Sequence, residues 1–542
     1  MPSRRESQPF LAGRTSTDSN DTIGSPTIDL ATRRELPLPG KVELDPLDLS
    51  KRQRVAILCG LWSATFLSVI LSSIASEFKS ANQASWLGTS FLLATCTFTP
   101  LYGRLSNAAG RRAACQTAVF FCALGTIACG FCTRLELLIA ARFLAGLGGG
   151  GIFTTASICV SDLYSMRDRS LTQGYASIFV GLGLGLGGPI GGYISDRLGW
   201  RWAFLLQAPV FLFSFTLITI NLTYATPGRS KSPLQVLKRI DYWGCLTLLC
   251  AVASYIIFLS LKYNEDLPFS HPGVIASIIS IAVSFIVFIW VELFVAAEPV
   301  LAPNLLVQRT PVLVGVSNMI VSICNFSVQF YVPMWFETVQ RTSVTVAGLH
   351  IMPNSISMSI GSLFAGYMMH RTGRYKSLTT TFGILPMLAA VLLARLQKNS
   401  WAITQWLSII PLGFGNAVVL QSTLIALLAS IPRSMLAVGT GFTQLFRGIG
   451  QVSGVAVSSA VFQHLLEREL QKRLTGPGSE ELIRKIRHDS RLVASLPEET
   501  QVLAREAYDI GLRAVFLFTA GAAFTGWCLR LAVSRNPSIS SF

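Results

Sequence analysis

Fourteen apolar runs, each about as long as a bilayer is thick, leave this chain little choice of fold. A spanning helix needs about 20 apolar residues. Such runs fall at 55–75, 83–103, 113–132, 137–160, 174–195, 202–223, 242–262, 272–297, 311–335, 345–369, 376–395, 402–429, 436–462 and 512–532. Only 13% of the 542 residues are charged, roughly half the share of a soluble domain. The spacing groups the runs as six, two and six, which predicts an all-α membrane protein with two six-helix halves and two helices inserted between them.

The domain expectations follow from the same spacing. Residues 1–54 carry nine Lys/Arg and no apolar run, and they read as a disordered cytosolic tail without the apolar core of a cleavable signal. An N-terminal half at 55–223 is followed by a cytosolic linker at 224–241, inserted helices at 242–297 and a C-terminal half at 298–532. Within that half, the loop at 463–511 reads as surface amphipathic helices, and 533–542 is a tail. With an inside N-terminus, the inside loops hold fourteen Lys/Arg and the outside loops eight. The excess of inside charge puts both termini in the cytosol.

A repeat supports the two halves. Gly103-RLSNAA-Gly110-Arg111-Arg112 follows the second run, and Gly366-YMMHRT-Gly373-Arg374 follows the tenth, 263 residues later. Both are glycine-bounded loops whose glycines are seven positions apart, and basic residues follow at once. Their recurrence after the second run of each half implies related halves and marks Gly103, Asn107, Gly110, Arg111, Arg112, Gly366, Gly373 and Arg374 as gating loops.

The fifth run holds seven glycines between Gly181 and Gly192. Interior glycine costs nearly 1 kcal/mol in a soluble helix, whereas in lipid small residues let helix backbones approach closely. Gly181, Gly185, Gly188 and Gly192 share one face, Gly191 belongs to the neighbouring face, and Pro189 can bend the helix. This is the expected pivot of a rocking transporter.

Several functions are excluded or disfavoured. The net charge of +16 resides in the tail and short loops, so nucleic acid is not an expected partner. No G-x-x-x-x-G-K-[ST] is present, which removes ATP as a driver, and neither HExxH nor GxSxG appears. No enzyme, cofactor or metal site is expected. All eleven cysteines lie in or beside apolar runs, and the Cys129/Cys132 pair has no second pair to complete a zinc site.

Intramembrane charges need a reason. Arg142 and Arg447 lie inside apolar runs and read as coupling residues, with Gly146 beside Arg142; snorkelling is the plain alternative for Arg142. Glu292, in an inserted helix, reads as structural, and His350 as interfacial. Gln207, Asn325, Gln329, Asn354, Asn416 and Gln421 suit a solvated substrate cavity. Each taken alone reads as an interhelical hydrogen bond sooner than as a ligand contact, and only together do they point to a cavity.

The Gly103–Arg112 loop, ARFLAGLGGGG at 141–151 and GGPIGG at 187–192 resemble motifs of the major facilitator superfamily. EPVLAPNLL and GLHIMPNSISMSIGSLFAGY are similar to its fungal branch of vacuolar basic amino-acid permeases and multidrug proton antiporters. The resemblance implies the fourteen-helix fold of that superfamily, with alternating access driven by a proton gradient and Arg142 aiding proton transfer. Its implied partners are a small-molecule substrate, protons and the lipid bilayer, with the chain acting as a monomer. Basic amino acids moved from cytosol into vacuole are the leading substrates, with the vacuolar membrane favoured over the plasma membrane. Drug or toxin efflux at the plasma membrane is the alternative, and a non-transporting nutrient sensor a third. Two departures stand out. Asn107 occupies the place of the family's usual loop aspartate, and the first run lacks the usual intramembrane aspartate.

Overall fold

A computed structural model describes residues 50–75, 81–223, 241–264, 267–296, 299, 303–432, 435–474, 479–488, 493 and 496–532. The described residues are helical and contain no strand. The N-terminal half comprises α1 (Lys51–Ala75), α2 (Ala81–Ala108), α3 (Arg111–Phe131), α4 (Leu135–Leu163), α5 (Met166–Leu198), α6 (Trp200–Leu205) and α7 (Ala208–Asn221). The inserted pair is α8 (Tyr242–Leu259) and α9 (Pro272–Trp290), each ending in a π-helical turn. After the short α10 (Pro303–Val307), the C-terminal half runs through α11 (Arg309–Thr338), α12 (Val344–Leu349), α13 (Met352–Thr372), α14 (Lys376–Phe382), α15 (Leu385–Ala394), α16 (Ala402–Leu407) and α17 (Ile410–Ser430). It closes with α18 (Leu436–Arg473), α19 (Ser479–His488) and α20 (Glu498–Leu531).

Among the described residues ten helices are long and apolar enough to cross a membrane, so the expected count of fourteen is not confirmed. At the other four positions stand α1, α2, α5 and the α12–α13 pair, which are helical but not among the ten. One correction concerns the N-terminus. Lys51–Arg54, assigned to the disordered tail, already form the first turn of α1. The rest of the tail to residue 49, most of the linker (224–240) and the C-terminal tail (533–542) lie outside the described residues.

Four expected runs are each broken into two helices, the first piece six or seven residues long. The second piece always carries proline in its first turn: Pro209 in α7, Pro353 in α13, Pro386 in α15 and Pro411 in α17. Proline has no N–H for the preceding turn and its ring crowds the carbonyl there, so the helix bends at that point.

Glycine sets the packing inside the first half. The run Gly148–Gly151 on α4 lets α2 and α3 lie against its backbone: a Cβ at Gly148 would meet Cys122 and Ala118, and one at Gly151 would meet the Tyr102 ring at 2.6 Å. Around these contacts a core forms from Leu61, Phe91, Cys122, Ile152, Phe204 and Phe211. The inserted pair is tied by a Ser254–Ser280 hydroxyl hydrogen bond of 2.7 Å. It rests on α2 and α18 through Leu248, Val252, Ile256 and Phe288, while Ile279, Phe285 and Ile286 on α9 face outward. Glu292 is buried in the π turn that ends α9.

The 463–511 stretch is not a set of separate surface helices. HLLERELQKRL continues α18 without a break, and α20 begins at Glu498. At 1.5 Å per residue α18 is roughly 57 Å long, well beyond the ~30 Å hydrocarbon core. Its final turns, α19 and the start of α20 bury Leu466, Leu470, Ile483, Ile486, Ala504 and Tyr508 against Trp335 and Phe336 of α11 and Val339 just beyond it. Tyr508 Oη donates to the Ile486 carbonyl at 2.9 Å, and Trp335 Nε1 donates to Asp509 Oδ1 at 3.0 Å. The result is a folded cap on one end of the C-terminal half. The Gly103–Arg112 and Gly366–Arg374 loops mark the opposite, basic-loop end.

The cap core sets an expectation for stability. Leu466→Ala removes a fully buried side chain and should cost about 2–5 kcal/mol, read as a clear fall in the thermal unfolding midpoint of purified protein. Arg468→Ala, at an exposed position on the same helix, should leave the midpoint unchanged.

Candidate functional site

The two halves meet along two seams, and each seam begins at a repeat glycine. On α2, a Cβ at Gly103 would lie 2.6 Å from the Ala437 carbonyl of α18. On α13, a Cβ at Gly366 would lie 2.5 Å from the Ser170 carbonyl of α5. No side chain fits at either point, so glycine here is a requirement of backbone-to-backbone contact. The first seam continues through Gly441 against Pro100 and Gly448 against Cys96, whose thiol faces the Leu445 carbonyl. The second continues through Ser362 Oγ donating to Ser177 Oγ at 2.7 Å and Gly181 against Ser359 and Ser355.

Hydrogen bonds close the basic-loop end across the second seam. Ser170 Oγ donates to the Gly366 carbonyl at 3.1 Å, and Gln421 Nε2 on α17 donates to the Ser170 carbonyl at 2.9 Å. His370 Nε2 lies 3.3 Å from Asp168 Oδ1 of the other half. Gln421, expected in a midplane cavity, therefore belongs to this closure.

Within each loop the repeat residues divide their tasks. Gly110 (φ 89°) and Gly373 (φ 65°) take the backbone conformation that favours glycine. Arg111 Nη1 donates to Asn107 Oδ1 at 2.8 Å and Ser106 Oγ at 2.9 Å. Its Nε donates to Asp162 Oδ2 at 2.6 Å and Nη2 to Oδ1 at 3.4 Å, a two-pronged pair at the end of α4. The counter-charge for Arg111 thus comes from Asp162, and Asn107 serves as a neutral acceptor beside it. Arg112 and Arg374 are exposed. In the second loop the counterpart of Asn107, 263 residues on, is His370, which reaches across the seam.

The interior of the bundle holds the intramembrane arginines. Arg142 on α4 is 1% exposed and lies between the Phe91 and Phe204 rings, 5.8 and 5.5 Å from their centroids. Gly146, one turn on, packs on the Phe91 carbonyl and accepts at its own carbonyl from Thr95 Oγ1 at 3.1 Å. Snorkelling does not describe this side chain, which is enclosed by protein. Arg447 is half-buried on α18, beside the first seam. Arg530 on α20, not singled out in the sequence, is buried with Nη2 donating to the Gly383 carbonyl at 3.0 Å.

The expected cavity residues separate into groups. Asn325, Asn354 and Asn416 come together in the C-terminal half. Asn416 Nδ2 lies 3.5 Å from Asn325 Oδ1, and Asn354 packs on Gly413, one turn from Asn416. Both amide atoms of Asn354 are buried without a hydrogen-bond partner. Gln329 is half-buried one turn beyond Asn325 on α11. Gln207 lies in the other half at the α6–α7 break, where its Nε2 donates to the Ala203 carbonyl at 2.8 Å.

Along the expected pivot, α5 is helical throughout, and Gly181, Gly183, Gly187 and Gly191 are buried. Gly185 stands 3.6 Å from Ser355 Cβ. The surroundings of Gly188, Pro189 and Gly192 lie outside the described residues. His350 is buried, stacked between the Phe336 and Trp406 rings at 3.7 and 4.0 Å. It is a packed residue rather than an interfacial one.

The Arg111 site makes a prediction. Asp162→Asn leaves a largely buried guanidinium without its counter-charge and should cost about 3 kcal/mol or more. Asn107→Ala removes one hydrogen bond to the same group and should cost about 1.5–3 kcal/mol. Unfolding midpoints of the two variants should rank Asp162→Asn lower; the reverse order would show that Asn107 carries the loop.

Comparison with known proteins places this geometry. Residues 55–455 match the family described as Major Facilitator Superfamily. Multidrug resistance protein fnx1 of Schizosaccharomyces pombe is 34% identical over 514 residues, 92% of this chain and 96% of that one. Vacuolar basic amino acid transporter 1 of Saccharomyces cerevisiae is 31% identical over 483 residues, 81% of this chain and 84% of that one. Among solved structures, the human organic anion transporter MFSD10 (TETRAN) shares the fold with a TM-score of 0.57 at 14% identity, over 88% of this chain and 98% of that one.

Proposed function

The chain belongs to the major facilitator superfamily, a family of multi-pass membrane transporters, and from that premise we propose a proton-coupled antiporter that moves basic amino acids from the cytosol into the vacuole. The basic-loop end faces the cytosol in this reading and the cap faces the lumen, in keeping with the excess of Lys/Arg in the short loops of that end. The halves rock about the α5–α13 seam, where the glycines of α5 let two backbones slide without interlocking side chains. Arg142 and Gly146 belong to the coupling machinery, and the amide cluster on α11, α13 and α17 lines the substrate path.

The observation that carries the reading is the paired seam. Two glycine contacts at repeat-related positions close one end of the bundle, which is what one limit of a rocking cycle requires. The choice of substrate leans on the likeness to vacuolar basic amino acid transporter 1. The likeness to multidrug resistance protein fnx1 favours a second reading, export of drugs at the cell surface.

The test is uptake of labelled lysine, arginine and histidine into vacuolar vesicles from a permease-deficient strain expressing the chain. Uptake should be abolished by a proton uncoupler and by Arg142→Ala, with the variant still present at the membrane. Vesicles that take up none of the three, with the protein in place, would rule out the amino-acid reading and favour export of other compounds.

A further inference from the structure

Arg447 sits eleven residues into α18, roughly 16 Å from its start and so near the middle of a ~30 Å hydrocarbon core. Its neighbour Gly448 meets Cys96 of the other half, while Gly450 and Gly454 pack on Met319 and Ile323 of α11. At 100° per residue, Arg447 falls on the arc of α18 between those two contacts, where α2 of the other half and α11 converge on the helix. Gln444 and Gln451 fall within about 60° of it on the same helix. All three side chains are half-buried. Among the described residues none of the three makes a hydrogen bond or ion pair.

The charges around this space are one-sided. The described acidic residues of the two halves lie at the ends of the bundle: Asp162 and Asp168 at the basic-loop end, Glu136, Glu337 and those of the cap at the other. The buried arginine inside the other half is Arg142, and the C-terminal half contributes neutral amides. A guanidinium held in a low-dielectric interior is costly unless an anion meets it. A molecule carrying only positive charge would worsen that imbalance, whereas a carboxylate would relieve it through two parallel N–H···O bonds.

We infer that Arg447, flanked by Gln444 and Gln451, binds the carboxylate of the transported molecule. The recognised substrate class is therefore compounds with a carboxylate, and a basic side chain alone is not sufficient for binding. This rests on the transporter reading above and narrows it, because it separates amino acids from cationic compounds that lack an acid group. The amides of Asn325, Asn354 and Asn416, which can accept as well as donate, are left to meet the rest of the substrate.

The experiment is calorimetric binding to the purified full chain in lipid nanodiscs, with lysine, cadaverine (lysine without its carboxylate) and 6-aminohexanoate (lysine without its α-amine) as probes. Wild type should bind lysine and 6-aminohexanoate and should bind cadaverine at least roughly tenfold more weakly, the scale of a charge-assisted hydrogen-bonded pair. Arg447→Gln should weaken both carboxylates by roughly ten- to a hundredfold without weakening cadaverine. Arg447→Lys, which keeps the charge and loses the fork, should fall between and serves if the glutamine variant does not fold.

Cadaverine binding as tightly as lysine would overturn the carboxylate site while leaving a basic substrate standing. Binding of 6-aminohexanoate through Arg447 without binding of lysine would uphold the site and remove the basic amino-acid reading. Failure of both carboxylates to bind wild type, or their unchanged binding to Arg447→Gln, would overturn the inference.

Discussion

Everything that distinguishes the basic-loop end of this protein depends on two points where helix backbones from opposite halves touch. Gly103 against Ala437 and Gly366 against Ser170 leave no room for a side chain. In a bilayer such contacts are favoured by dispersion and packing rather than by release of water. Small-residue surfaces make a seam that is tight when closed yet has few interlocking side chains to disengage when it opens. The hydrogen bonds from Ser170 and Gln421 and the His370–Asp168 contact then hold the closed arrangement at the same end.

Much of this was legible in the sequence because a repeat is a statement about geometry. Two loops with the same glycine spacing marked Gly103 and Gly366 before any contact was known, and positive φ at Gly110 and Gly373 accounts for the second glycine of each. The proline breaks carried a signal too, an X-Pro near the ninth residue of four runs. The partners of the loops were not legible. Asp162 and Asp168 lie at helix ends far along the chain, and no spacing connects them to Arg111 or His370. Gln421 was misplaced for a related reason: a polar residue in an apolar run signals burial of a polar group but not its depth. The amphipathic pattern of 463–511 predicted helices with an apolar face, yet it could not show that those faces cover one another and the end of α11.

The two halves differ in how they handle charge. The N-terminal loop satisfies its arginine within its own half through Asp162, and Arg142 is enclosed by aromatic rings. The C-terminal half sets His370 against Asp168 of the other half and leaves Arg447 without a hydrogen bond or ion pair among the described residues. It also carries the cap, which ties α11, α18 and α20 together at the far end. Arg142 and Arg447, the charged residues described within the two bundles away from their ends, are both basic, which matters for any substrate that passes them.

The central claim is that the closed seams are one limit of a rocking motion. The direct measurement is a pulsed electron-spin distance between labels at Arg112→Cys and Arg371→Cys, exposed positions at the basic-loop end of opposite halves. It would be made in a variant lacking the eleven native cysteines, reconstituted in lipid, with and without lysine and across a pH change. The account predicts a short-distance population corresponding to the closed seams and a longer one, with a ratio that shifts when substrate or protons are added. A single distance that neither addition moves would contradict it.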